Sequence, residues 1–533
     1  MSSEDARTTY PRRAPPGWRI RLFLTCWVVY VAHFATDVVR EHYLVMSIAE
    51  AGTFRLDPYL GLHDDVFDNP PEAGAEGAHH GANPGVSMIA AIPYAPLRPL
   101  VDFVVSHELA NRAPADSIVY RDSRTKRVGF YKTIRQRGLD IKFGLVSAIT
   151  QVLCMAPLAA WSVVVMLETL LALGFAARFA LAGAMLFAFG TPVFFRAAYL
   201  NQNLAVAVFA FGAFVLLWNP RRKTRWRRST REILAGGLAG LCLLCDYSGG
   251  LVVAVLGLYA CWNRLQDGFK EAAASGVRYT VGALGPILVL WFYQWASFGN
   301  FLMPPQHWMP PVEFSDIGYQ GVGGFTPELS GMLLFDARFG LFVVAPVLAL
   351  GVLAPVVRRS KESLGLPGKE LTICFALSTA FLLFFSTVQY TRIQWVTGIR
   401  YLVPVVPFLF LPAIAVLARL PRLLSIVLGI GSIALTWSLA MVRDQGTVAK
   451  NLLRVATEGF QLPWLTVVGK LSTQYSPWLV GRPSALPVLA LLAGVLYLIW
   501  SLESPALPLP YRSGGDGTEI AHLSPEGDKS KSL

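Results

Sequence analysis

The sequence predicts an all-α polytopic membrane protein of about 12 transmembrane helices, with a large first extracytoplasmic loop containing interfacial helices. Three observations predict it. Of 533 residues, 54% are hydrophobic and only 15% are charged, whereas an ordinary soluble domain carries about a quarter charged residues. The mean hydropathy is +0.48, so the chain lacks the residues for a charged shell and lipid must replace water over much of its surface. Finally, apolar runs of the roughly 20 residues needed to cross a hydrocarbon core of about 30 Å recur along the chain.

The first of these runs follows Arg7, Arg12, Arg13, Arg19 and Arg21 and extends from Leu22 to Val39. It is too long for the apolar core of a cleaved signal peptide and reads as a retained first span. Further spans are expected near 145–168, 174–195, 202–218, 233–246, 248–262, 279–297, 339–357, 371–388, 401–419, 423–442 and 485–502. The pair at 233–262 is short and Gly-rich, which suits two broken helices or a re-entrant hairpin. Residues 1–21 form a cytoplasmic N-terminal segment, 22–502 one transmembrane domain, and 503–533 a disordered cytoplasmic tail.

Orientation follows from charge. With the Arg-rich N-terminus inside, alternation places Arg221 to Arg228, Arg264 to Arg278, Arg358 to Lys361, and Arg419 with Arg422 inside, as the positive-inside rule requires. The basic segment 112–142 then falls outside, within a first loop of about 40–142 that is long enough to escape that rule. Residues 86–105, punctuated by Pro93, Pro96, Arg98, Pro99 and Asp102, read as a segment lying in or on the outer interface. The large loops, and any chemistry, therefore belong to the extracytoplasmic face of a multi-pass cell-membrane protein.

The net charge of +12 follows from the same rule, with contact to lipid phosphates as its functional counterpart. No basic stripe interleaves with stacking aromatics on a soluble segment, which excludes nucleic-acid binding. All six cysteines lie in apolar runs, so Cys242-Leu-Leu-Cys245 reads as two small buried hydrophobes rather than a redox pair. Five of the eight histidines (His42, His63, His79, His80 and His107) fall in the first loop. With its carboxylates they leave a divalent metal open, but no CxxC or HExxH spacing supports a metal site.

The first loop opens with Asp37, Arg40, Glu41 and His42, and Glu41 to Gly52 has helical apolar spacing with a glycine stop, the pattern of a short interfacial helix. Asp37 and Glu41 are four residues apart and would share a face of a continuous helix. Two carboxylates in a partly desolvated pocket are general-base candidates, as is the later pair Asp64 and Asp65. His80 and Asn83 stand in the Gly-rich turn Ala78 to Gly85. In the later outer loops, Arg338, Arg392 and Arg400 could fork onto a phosphate or serve as an interfacial belt.

Taken in order, these segments resemble the GT-C superfamily of membrane glycosyltransferases, which use polyprenyl-phosphate-linked sugars. The likeness runs over roughly residues 22–420. It rests on Glu41-His42-Tyr43-Leu44 after the first helix, Asn83-Pro84-Gly85 before Ile92-Pro93-Tyr94, Arg338-Phe339-Gly340-Leu341 before Pro346, and Trp395-x-x-Gly398-x-Arg400-Tyr401 before Pro407. The resemblance implies a carboxylate base on the first outer loop (Glu41 or Asp37) and Arg40, Arg338 and Arg400 as phosphate ligands. It implies inverting transfer from a polyprenyl-phosphate sugar to an envelope glycan, lipid or protein, with membrane lipid as surroundings. Family members often carry Asp-Glu just before this helix; here Val39-Arg40 stands there, so Asp37, Glu41 or the Asp64–Asp65 pair takes the role, or the activity is lost. The competing reading is a transporter or flippase, for which Asp246, between Cys245 and Tyr247-Ser248-Gly249-Gly250, is the best evidence; a non-catalytic assembly subunit is a third.

Overall fold

The computed structural model describes residues 14–112, 125–220, 226–359, 365–394, 396–475 and 483–502. The N-terminal arginines up to Arg13, Arg121 and Arg124, the run 221–225, Ser360 and Lys361, Trp395 and the tail from Glu503 lie outside them.

Apolar sequence in lipid must satisfy its own backbone, and helices do so locally. The first, α1 (Trp18–Ala32), ends short of the expected boundary at 39. Beyond it the backbone leaves the helix, and the Ala35 N–H binds the Ala198 carbonyl at 2.8 Å, which carries Asp37 clear of the span. Next come α2 (Arg40–Met46) and a π turn over Ser47–Ala51, stopped at Gly52 with a left-handed φ of 62°, as the glycine stop predicts. Rather than lying open on an interface, α2 is enclosed: Glu41, His42, Tyr43, Leu44, Val45 and Met46 are all buried. The rest of the first loop folds over it. Among its described residues a hairpin pairs β1 (Val66–Asp68) with β2 (Ala78–His80), Val66 opposite His80.

Gly85–Asn111 forms one helical run, α3, followed by α4 (Asp140–Ala172) of 33 residues, α5 (Ala177–Phe189), α6 (Gln202–Trp218) and α7 (Arg228–Cys245). Then come α8 (Gly249–Trp262), α9 (Phe269–Phe298), α10 (Gly368–Phe385), α11 (Val403–Leu417), α12 (Arg422–Met441) and α13 (Leu486–Ser501). Five of these, α3, α4, α9, α10 and α12, are long and apolar enough to cross a membrane by length and composition. The expected span at 339–357 is helical only in short pieces. Pro346 removes a backbone donor and breaks the ladder, and the next N–H, of Val347, is satisfied by Ser432 Oγ at 3.1 Å.

The Gly-rich pair at 233–262 is a tight helical hairpin whose glycines admit a third helix. A Cβ on Gly236 would lie 1.9 Å from the Tyr279 carbonyl oxygen of α9, and one on Gly240 2.6 Å from that of Ala283. This is the small-xxx-small contact by which membrane helices approach backbone to backbone.

At one end of the bundle Arg19, at the start of α1, pairs with Glu168 of α4 at 2.7 Å, and Arg228, Arg231 and Arg264 line a 260 Å³ cavity between α6, α7 and α8. The other end carries α2 and the hairpin. At 1.5 Å per residue α4 is about 50 Å long, so Asp140 stands well beyond a core of about 30 Å. Both ends of α3 belong to this second end: Gly85 abuts the Leu244–Cys245 backbone, and Arg112 pairs with Asp140 at 2.8 Å. Ile92, Leu100 and Phe103 of α3 remain exposed.

Candidate functional site

The extended segment after α1 and the start of α2 bring the first two carboxylates to the loop-bearing end of the bundle, into different surroundings. Asp37 is bound from two sides, by Arg443 at 2.5 Å and Arg127 at 3.6 Å. Burial acts to raise its carboxyl, but Arg443 first and then Arg127 hold it below the usual carboxylate range. Glu41, four residues on at the start of α2, is only 5% exposed. Its carboxylate faces the Arg40 guanidinium at 3.6 Å, beyond hydrogen-bond length. Burial again pushes upward, and Arg40, then His80 and Arg400, outweigh it, so Glu41 is also held low and ionised.

Arg40 itself is anchored by Asp65, which also lies 3.8 Å from His63. The β hairpin places His80 in the same group. Its Nδ1 accepts the Ala82 N–H at 3.0 Å, which puts the proton of the neutral ring on Nε2, and this buried Nε2–H has no partner among the described residues. Burial, and after it Arg40, push His80 down to about 3, so the ring is neutral at ordinary pH. The hairpin is held against the end of α9: Asn69 donates to the Ser297 carbonyl at 2.7 Å and Gly74 N–H to that of Phe298 at 3.0 Å.

Arg400 enters from the loop before α11, within electrostatic reach of Glu41, Tyr199 and Asp246. That loop is gripped peptide by peptide. Thr397 N–H donates to the Asp444 carbonyl at 3.0 Å and Gly398 N–H to that of Arg338 at 2.8 Å. The buried Arg196 donates to the Gly398 and Ile399 carbonyls, each at 2.8 Å. Gly398 has φ of 105°, a conformation open to glycine. The guanidinium of Arg400 makes no hydrogen bond among the described residues, although it stacks on the Tyr401 ring at 5.2 Å.

The remaining predicted residues lie apart. Asp64 is exposed. Arg338 is half-exposed and turned onto Asp336 at 3.3 Å, contributing its carbonyl rather than its charge. Arg392 forks onto Glu328 at 3.1 and 3.2 Å. Asn83 ties the first loop to α7 by donating to the Leu243 carbonyl at 2.8 Å. No group of three or more His, Cys, Asp or Glu among the described residues is arranged to hold a metal ion.

Sequence reasoning did not single out Arg196, Tyr199 or Arg443. Arg443 lies with its guanidinium 4.8 Å from the Tyr199 ring centroid, and Tyr199 accepts from Arg196, so the three join the Asp37 and Arg400 groups. The available signal was Arg196 inside Pro192-Val-Phe-Phe-Arg-Ala-Ala-Tyr199, a charge in an apolar run. Asp246 also changes setting. It lies in the α7–α8 turn, within electrostatic reach of Arg400 and Arg40, where burial raises its carboxyl against the Ser248 hydroxyl and N–H and those arginines. It is therefore part of the loop-end cluster and not a mid-bundle charge.

The chain matches no family model and no curated protein. Among solved structures it is similar to ArnT from Cupriavidus metallidurans bound to undecaprenyl phosphate, at 14% identity and a TM-score of 0.47 over 90% of this chain and 75% of that one. The apo form of the same protein aligns at 15% identity and a TM-score of 0.46 over 91% and 75%.

Proposed function

We propose that this chain is an integral membrane glycosyltransferase. It moves a sugar from a polyprenyl-phosphate donor to an acceptor hydroxyl on an envelope glycan, lipid or protein at the extracytoplasmic face, with Glu41 as the base. The observation that carries the reading is a buried, ionised Glu41 beside two guanidinium groups, of which Arg400 has no hydrogen-bond partner among the described residues. An arginine left unbonded beside a carboxylate, on a loop clamped in place, is suited to receive a phosphate.

In the reaction the acceptor oxygen bonds to the anomeric carbon and the bond from that carbon to the phosphate oxygen breaks. The bonding pair leaves with the polyprenyl phosphate. Arg400 meets the charge that develops there directly and Arg40, held by Asp65, adds its field, and because their loop and helix are already held, little reorganisation is spent. Glu41 takes the acceptor proton. Its lowered pKa makes it a weak base, which suits late transfer, when the attacking oxygen is already half-bonded and its proton acidic. Asp37, with both oxygens facing arginines, anchors Arg443 and Arg127 instead. His80 supplies an Nε2–H donor to an oxygen in the same space, and Arg338 and Arg392, already paired, stay at the rim.

The extracytoplasmic assignment is supported by Arg228, Arg231 and Arg264 at the short connections of the opposite end of the bundle, because the positive-inside rule counts short loops and long ones escape it. The ArnT structure with undecaprenyl phosphate suggests a ligand to try, but the reading rests on this chain's own residues. Transport loses its specific support once Asp246 joins the loop-end cluster. The test is binding of undecaprenyl phosphate to purified protein. Arg400→Gln and Arg40→Gln are expected to weaken binding about tenfold or more, and Arg338→Gln to change it little. A wild type that does not bind, or an Arg400→Gln variant that binds equally, rejects the proposal.

A further inference from the structure

Asp246 is a carboxylate that the proposed chemistry does not use, and it is built in with care. The α7–α8 turn can form only because residue 249 is glycine: a Cβ there would lie 2.2 Å from the Cys242 carbonyl carbon. In that turn Asp246 Oδ1 accepts the Ser248 N–H at 2.9 Å, and Oδ2 accepts Gln202 Nε2 from the start of α6 at 2.8 Å. Each carboxylate oxygen keeps further acceptor capacity, and the group is only half-buried. Arg400 and Arg40 are both within electrostatic reach of it.

The groups that pin it are themselves incomplete. Gln202 Oε1 has no hydrogen-bond partner among the described residues, neither has either end of the Asn203 amide, and the Ser248 hydroxyl is turned to Asp246 without a well-formed bond. Gln202, Ser248 and Asn203 are 8%, 1% and 1% exposed. Buried groups left unpaired cost about 1–3 kcal/mol each, and native proteins keep few of them without a use. A charged acceptor, a neutral acceptor and a hydroxyl that gives and accepts, set side by side, match the hydroxyl groups of a sugar. They do not match a lipid tail, and a second phosphate would be repelled by the carboxylate.

We propose that Asp246, flanked by Gln202 and Ser248, is the recess that receives the hydroxyl groups of the transferred sugar, while Arg400 holds the phosphate beside it. This deepens the glycosyltransferase reading and rests on it. The recess selects polyhydroxylated donors through Asp246, which accepts from two neighbouring hydroxyls and is kept in place by Gln202 and the Ser248 N–H.

The experiment compares binding of undecaprenyl phosphate with a panel of undecaprenyl-phosphate pentoses and hexoses, on wild type, Asp246→Asn and Ser248→Ala. Ser248→Ala removes the hydroxyl turned to Asp246 and keeps the N–H that Asp246 accepts, and the melting temperature of each variant, read alongside, separates lost folding from lost binding. The wild type is expected to bind at least one sugar-bearing lipid more tightly than the bare phosphate. Asp246→Asn should erase about tenfold or more of that advantage and Ser248→Ala a few-fold, with bare-phosphate affinity unchanged in both. Equal loss of both ligands, or an undiminished sugar advantage in both variants, overturns the recess. Lost turnover with unchanged affinities also overturns it, by making Asp246 a base. A wild type that binds neither kind of lipid fails the glycosyltransferase reading itself, whereas one that binds bare phosphate but gains nothing from any sugar fails the recess alone.

Discussion

Arg196 donates from Nη2 to the Gly398 carbonyl at 2.8 Å, across 202 residues of sequence, and from Nε to the next carbonyl, of Ile399, at the same distance. A lysine has no fork and cannot reach two successive carbonyls with fixed geometry. Arg196→Lys is therefore expected to leave a buried carbonyl unpaired, at about 1–3 kcal/mol of stability, and to loosen Arg400. The check is melting temperature together with undecaprenyl phosphate affinity. Both should fall, the second in step with Arg400→Gln.

Gly398 itself tolerates no side chain. Its φ is 105°, and an added Cβ would sit 2.8 Å from the Phe195 ring. Gly398→Ala should destabilise by about 1–3 kcal/mol from backbone strain, read as a lower melting temperature in detergent. Because strain is the larger cause, Phe195→Leu added to Gly398→Ala should restore only part of the loss.

The glycines between α7 and α9 predict a graded series. Gly236→Ala and Gly240→Ala drive a methyl into backbone carbonyls at 1.9 and 2.6 Å, while Gly237→Ala meets nothing closer than 3.7 Å. The first two should lower the melting temperature or the yield of folded protein. Gly237→Ala should be neutral or slightly stabilising, since alanine is favoured over glycine in a helix by about 1 kcal/mol. Equal behaviour of all three would refute the close approach of these helices.

Acid should destabilise the loop-bearing end. Burial pushes His42 down to about 4 and His80 to about 3, whereas in an unfolded chain they titrate near 6.5. Between those values the unfolded chain binds protons that the folded one refuses, so stability falls as pH drops from about 6.5 toward 4. Asp37 and Glu41, held below their ordinary values, act in the same direction: their stabilisation is complete above about 4.5 and is lost as pH falls further. The melting temperature should be lower at pH 5 than at pH 7.5, and His80→Gln should narrow the gap. No fall, or a rise, would contradict the burial of these rings.

The all-α, lipid-facing character was legible in sequence, because apolar helix-forming runs are a local property, and five of the helices among the described residues are long and apolar enough to cross a membrane. The helical stop at Gly52 follows its motif. What could not be read is pairing across the chain. Asp37 and Glu41 look equivalent from their spacing, and Arg443, 406 residues away, sets them apart together with Arg127. Arg338 and Arg392 carry the same charge as Arg400, but Asp336 and Glu328 already satisfy them. The end of α1 at Ala32 was missed because the apolar run continues past the point where the backbone turns to meet Ala198.

Sugar transfer from a panel of undecaprenyl-phosphate sugars, by purified wild type beside Glu41→Gln and Asp37→Asn, tests the central claim most directly. Transfer by the wild type, reduced about 10²-fold or more in Glu41→Gln as loss of a general base requires, with undecaprenyl phosphate binding retained, is the predicted result. Asp37→Asn should instead lower stability along with activity. Full transfer by Glu41→Gln would contradict its role as base. Movement of lipid-linked sugar across vesicles without any transfer would contradict the glycosyltransferase itself.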